Sequence, residues 1–237
     1  MKKSMLAVLL LVLIIGALAF YNTAQIMTRA QPVNIGTKGK QLVIIDAGHG
    51  GVDGGAVSGD VVEKDINLNI ALKLRELAKA SGFEIIMIRE EDISIHNEDA
   101  TSTRKKKETD LKNRLKIMNS HPEAVYISIH QNSFTQSKYY GTQILYAPDV
   151  EESQLLGNAI QSSVKALLQN ENEREIRKCT EDVYIIYNAR IPAVLVECGF
   201  LSNPQEKSML VTDEYQNQMA FAVLCGIIDY CAYNHRI

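Results

Sequence analysis

Three short apolar runs in this chain each end on a residue able to bind a metal or move a proton. They are Val43-Ile44-Ile45-Asp46-Ala47-Gly48-His49, Tyr126-Ile127-Ser128-Ile129-His130 and Ala193-Val194-Leu195-Val196-Glu197. Short runs rich in Val and Ile, without helical spacing, read as buried strands. Between them lie helical patterns. Ile66, Ile70, Leu74 and Leu77 recur on one face with Gly82 closing the helix, and Glu152–Leu168 and Tyr215–Tyr233 follow the same logic. Further strands are predicted at Phe83–Ile88, at Thr142–Tyr146 and, as a short piece, at Tyr184–Ile186. A short helix is predicted at Leu111–Met118, and residues 89–110, polar and charged, read as an exposed loop. Strands alternating with helices predict an α/β fold: a single domain with a mostly parallel mixed sheet and helices on both faces.

In open sheets of this kind, ligands collect at the carboxyl ends of the strands. His49, His130 and Glu197 should therefore converge. Glu63, at the start of the first predicted helix, is a fourth candidate, although an acid there also simply complements the helix dipole. Two histidines and a carboxylate, with water in the last position, form the pattern of a catalytic zinc site. Other readings of the same region fail. The glycines from Gly48 to Gly55 do not make a dinucleotide fingerprint, because its sixth position is Asp53. Cys179, Cys198, Cys225 and Cys231 lack metal-ligand spacing and show no disulfide framework. The residues alone leave open a zinc hydrolase of unstated substrate, a zinc carboxypeptidase or other metallopeptidase among them, and a binding protein without turnover.

The motifs are more specific taken together. Ala47-Gly48-His49-Gly50-Gly51, the downstream Glu63, Ser128-Ile129-His130-Gln131-Asn132, Val196-Glu197-Cys198-Gly199-Phe200-Leu201-Ser202-Asn203 and Leu111-Lys112-Asn113-Arg114 occur together in one chain. They resemble the zinc N-acetylmuramoyl-L-alanine amidases of type 3, from about Leu42 to Tyr230. Ala47 stands where the family has Pro, and Gln131 where it has Ala. The resemblance implies Zn2+ held by His49, Glu63 and His130, and Glu197 as the catalytic carboxylate. It implies a peptidoglycan substrate, cut at the amide between the muramic acid lactyl group and L-alanine. The length, the short N-terminal apolar segment and the lack of wall-binding repeats are similar to spore-cortex members, which implies peptide removal ahead of muramic lactam formation. Some members carry an inserted helix over the metal. The short stretch from Pro148 to Ser153 leaves no room for one.

Residues 1–25 read as a signal peptide or N-terminal membrane anchor: Lys2 and Lys3 precede an apolar run from Met5 to Phe20. Residues 26–40 read as a linker, and 41–237 as the catalytic domain. An extracytoplasmic location follows. The formal charge is −3, the wrong sign for a nucleic-acid binder. Arg104 to Lys107 reads as a solvated run, and Asp46 and Asn132 as neighbours that could orient the ligand histidines. The sequence names no activating protein.

Overall fold

The computed structural model of the protein describes residues 40–234. The expected export segment and all of the expected linker except Lys40 lie outside the described residues. The described elements, in chain order, are β1 (Leu42–Ala47), β2 (Val57–Ser58), β3 (Val61–Val62), α1 (Glu63–Ala80), β4 (Glu84–Met87), α2 (Thr103–Asn119), β5 (Val125–Asn132) and β6 (Gln143–Tyr146). After these come α3 (Glu151–Leu167), β7 (Arg177–Lys178), α4 (Tyr184–Tyr187), β8 (Ala193–Phe200), α5 (Pro204–Leu210) and α6 (Asp213–Asn234).

Six strands form the main sheet in the order β4-β1-β5-β8-β6-β7. β4, β1, β5 and β8 run parallel, β6 is antiparallel to β8, and β7 is parallel to β6. This is the predicted mixed, mostly parallel sheet. Side chains alternate between its faces. Val43, Ile45, Ile127, Ile129, Val194 and Val196 enter one core with α1, α3 and α6. Ile44, Tyr126, Ala193 and Leu195 enter a second core with Met118 of α2 and Ile186 of α4. Burial on both faces explains why these strands read as continuous apolar runs.

Three expectations need correction. Tyr184–Ile186 is not a strand; Tyr184–Tyr187 forms one helical turn whose Ile186 is buried under the sheet. The edge position belongs to β7, two exposed residues, Arg177 and Lys178, with no apolar signal. α2 begins at Thr103, well before the predicted Leu111. Its first turns are polar, Ser102 caps them by accepting the Lys105 N–H at 3.3 Å, and only Asp110, Arg114 and Met118 are buried. Such a helix carries almost no apolar periodicity. α5, with Asn203 as its cap and Pro204 in its first turn, was not anticipated. Between β6 and α3 there are only four residues, 147–150, so no helix is inserted there. Among the described residues no helix is long and apolar enough to cross a membrane.

Candidate metal centre

The turn after β1 is shaped by close approach. A Cβ on Gly48 would fall 2.2 Å from His130 Nε2, so the imidazole of His130 packs directly on bare backbone. Gly55, at φ +69°, leaves the space that Glu63 Oε2 and the His49 ring occupy. His49 itself sits at φ +64°, the left-handed region that non-glycine residues seldom adopt. Two buried arginines hold it there. Arg89 donates to the carbonyls of Ala47 (2.8 Å) and Gly48 (3.1 Å). Arg114 donates to those of Ala47 (3.1 Å) and His49 (2.7 Å). Three successive carbonyls are therefore fixed by two guanidinium groups, one from the end of β4 and one from α2.

Arg114 is paired in turn. Its Nη1 donates to Asp46 Oδ1, and its Nε to Asp110 Oδ2 at 2.6 Å. Asp46 Oδ2 accepts the hydroxyls of Tyr126 (2.7 Å) and Ser128 (2.8 Å). Asp46 thus orients Arg114 and β5, and no hydrogen bond runs from it to either histidine. The group that does orient His49 is Asp53, whose Oδ2 lies 2.9 Å from His49 Nδ1. Lys107 approaches the same Asp53 oxygen at 3.2 Å. The basic run Arg104–Lys107 is the exposed first turn of α2, and one of its members braces the metal-site loop. Asn132 makes its inter-strand bond through its carbonyl, which accepts Leu201 N–H at 2.8 Å.

Glu63 opens α1. Its Oε1 lies 3.2 Å from His49 Nε2 and 3.0 Å from His130 Nδ1, and it accepts Gln131 N–H at 3.1 Å. Its Oε2 accepts Ala56 N–H at 2.8 Å. The ligand atoms of His49, Glu63 and His130 all lie within 4.8 Å of one another, a group able to hold a metal ion. The two imidazoles meet edge to face, 4.9 Å between centroids. Burial works against a charge on His49, but hydrogen bonds to Asp53 and Glu63 outweigh it and raise its pKa to about 9. Glu63 is held far below the usual carboxylate range: burial opposes this, and the two histidines prevail. The pocket draws positive charge inward.

Glu197 is the neighbour of His130 across the β5–β8 ladder. Its Oε2 is buried without a hydrogen-bond partner among the described residues. Burial raises its pKa to about 7. All four sequence-derived residues therefore gather at the carboxyl ends of β1, β5 and β8. Asp53 and Arg89 were missed. A carboxylate within the His49 turn was the place to look for an orienting partner; Arg89 carries no local signal, since its partners are backbone carbonyls.

Comparisons with known proteins bear on the family and the fold. The germination-specific N-acetylmuramoyl-L-alanine amidase of Bacillus subtilis is 34% identical over 200 residues, covering 84% of this chain and 83% of its own. The CwlD amidase of Clostridioides difficile, solved in complex with the GerS lipoprotein, superposes with a TM-score of 0.78 at 43% identity, over 81% of this chain and 98% of that one. The catalytic domain of CwlV, an N-acetylmuramoyl-L-alanine amidase from Bacillus (Paenibacillus) polymyxa var. colistinus, gives a TM-score of 0.66 at 30% identity, over 80% and 97%. With residues 43–229 matching the N-acetylmuramoyl-L-alanine amidase family, the chain belongs to the N-acetylmuramoyl-L-alanine amidases.

Proposed function

We propose that this protein hydrolyses the amide between the lactyl group of muramic acid and L-alanine in peptidoglycan, with Zn2+ on His49, Glu63 and His130 and with Glu197 as the proton-transfer group. The observation that carries the reading is the convergence of three donors beside a buried, unpartnered carboxylate oxygen. The donor set fits the ion. Tetrahedral zinc with bonds of roughly 2.0–2.1 Å separates its ligands by about 3.3 Å, and His49 Nε2 and His130 Nδ1 stand 3.2 and 3.0 Å from Glu63 Oε1.

Bound there, zinc would supply an acidified water and polarise the scissile carbonyl. The protein does the rest. Asp53 accepts from His49 Nδ1 and leaves Nε2 facing the centre. Glu63 keeps its position because its oxygens accept Ala56 N–H and Gln131 N–H. Glu197 lacks a protein partner at Oε2, so that oxygen is available to take a proton from the nucleophile and return it to the departing amine.

A role in spore germination is part of the proposal, supported by the Bacillus subtilis relative named for that stage. A lipoprotein partner is supported by the GerS complex of the Clostridioides difficile protein. An extracytoplasmic location follows from the substrate. Digestion of wall glycan with and without a chelator, read by mass spectrometry, tests the reaction. The expected product is a peptide with free N-terminal L-alanine, formed only without chelator; release of C-terminal residues instead would make the protein a carboxypeptidase. Glu197→Gln should keep its zinc and lose turnover by about 100-fold or more, and activity within a few-fold of wild type would remove Glu197 from the mechanism.

A further inference from the structure

A row of polar side chains crosses the sheet beside the proposed centre. His130 of β5, Glu197 of β8 and Gln143 of β6 are successive partners across the two ladders, and directly opposed residues present their side chains on one face. The row continues past the strands. Gln143 Oε1 accepts Arg174 Nη1 at 3.0 Å. Arg174 Nε donates to Tyr140 O at 2.6 Å, and its guanidinium lies 4.6 Å from the centre of the Phe200 ring. Two hydrogen bonds and a stacking contact thus fix the planar group. Yet its Nη2 has no hydrogen-bond partner, and Arg174 makes no ion pair among the described residues.

The acids around it do not neutralise it. Glu206, the acid that acts on it most strongly, commits one oxygen to Gly141 N–H (2.9 Å) and the other to Phe200 N–H (2.8 Å). Glu173 is exposed on the same rim. Lys138 joins Arg174 in lining a notch of about 270 Å³ with Tyr139, Tyr140 and Glu173. Arg177, on β7, adds a further positive charge.

The geometry points to Arg174 as the anchor for a free carboxylate on the stem peptide, at the residue following the alanine whose amide is cut. The inference rests on the amidase reading above. Neighbouring strands are about 4.8 Å apart, and an extended chain advances roughly 3.3–3.6 Å per residue. A stem leaving Glu197 toward Gln143 therefore brings its second residue to the guanidinium. A fixed guanidinium with free N–H groups forks onto a carboxylate in a way an ammonium group does not. A carboxamide in that place would set its own N–H donors against those of Arg174.

Two synthetic substrates test it: a muramyl tripeptide whose second residue carries a free carboxylate, and the same molecule with that group amidated. With zinc-loaded wild type, kcat/KM should favour the free acid by about tenfold or more, through KM. Arg174→Gln should raise KM for the free acid about tenfold, change kcat by less than about threefold and leave the amidated substrate unaffected. Arg174→Lys should recover only part of the preference. Calorimetric binding of the two peptides to Glu197→Gln, with and without Arg174→Gln, measures the same discrimination without turnover. Carboxylate preference that survives Arg174→Gln, or equal loss on both substrates, overturns the inference. Arg174-dependent carboxylate binding by a wild type that never cuts the lactyl amide would instead sustain the subsite and overturn the reaction.

Discussion

Asp53 stands one hydrogen bond behind the centre, and its effect is directional. The His49 ring has two nitrogens, and an acceptor 2.9 Å from Nδ1 decides which of them carries hydrogen. With Asp53 holding the Nδ1 hydrogen, Nε2 is the nitrogen that gives up its proton to an ion. Asn in that position could still accept but would also offer an N–H, and the wrong tautomer would become accessible. Partners of this kind are worth roughly 10–100-fold in metal affinity. Asp53→Asn should therefore weaken zinc binding by about that factor while the fold persists, as read by competition with a chromophoric chelator. Unchanged affinity would show that the two arginine clamps alone orient the ring.

At the scale of elements, α2 is tied to β1 and β5 by the buried Arg114–Asp46 pair rather than by apolar contact alone. Burial by itself would raise the Asp46 pKa, but Arg114 and the Tyr126 hydroxyl overcome it and hold the carboxyl below its ordinary value. The folded pKa thus lies beneath the unfolded one. The contribution is fully present above about pH 4, where the unfolded Asp is ionised, and is lost as pH falls through the folded value. Asp53 and Glu63, likewise depressed, add to the same acid limb. Urea midpoints should fall below about pH 4, and Asp46→Asn should flatten that fall. An identical acid slope in the variant would remove Asp46 from the account.

The same helix shows what the sequence could and could not reveal. β1, β5 and β8 were legible because strands buried on both faces are apolar throughout, and the residues that end them are polar. α1 was legible from Ile66, Ile70 and Leu74, and Glu63 marked its start. α2 was half hidden, because its buried positions Asp110 and Arg114 are charged. β7 was invisible, being two exposed basic residues held by backbone pairing to β6. The four candidate site residues were legible because each closes an apolar run or begins a helix. Asp53 and Arg89 were not, because one sits inside an irregular turn and the other binds carbonyls, which every residue has.

For the whole molecule, an ion that binds only the folded chain adds stability by mass action. At about 100 times its Kd it contributes roughly 2.7 kcal/mol. For a domain near 200 residues, each kcal/mol moves Tm by about 2–4 °C. Stripping zinc with a chelator should therefore lower Tm by about 5–10 °C while leaving a single cooperative transition, measured by calorimetry. Loss of the transition altogether would mean that the ion is required for folding.

The clamp on the His49 turn has a temporal consequence. Its guanidinium groups belong to residues 89 and 114, and the second imidazole to residue 130, 67 positions beyond Glu63. A chain emerging from its N-terminus thus owns one imidazole and one carboxylate long before it owns a cage. Only when β5 pairs with β1 does His130 come beside His49 and Glu63, so the three donors of the proposed site cannot meet before that long-range pairing forms.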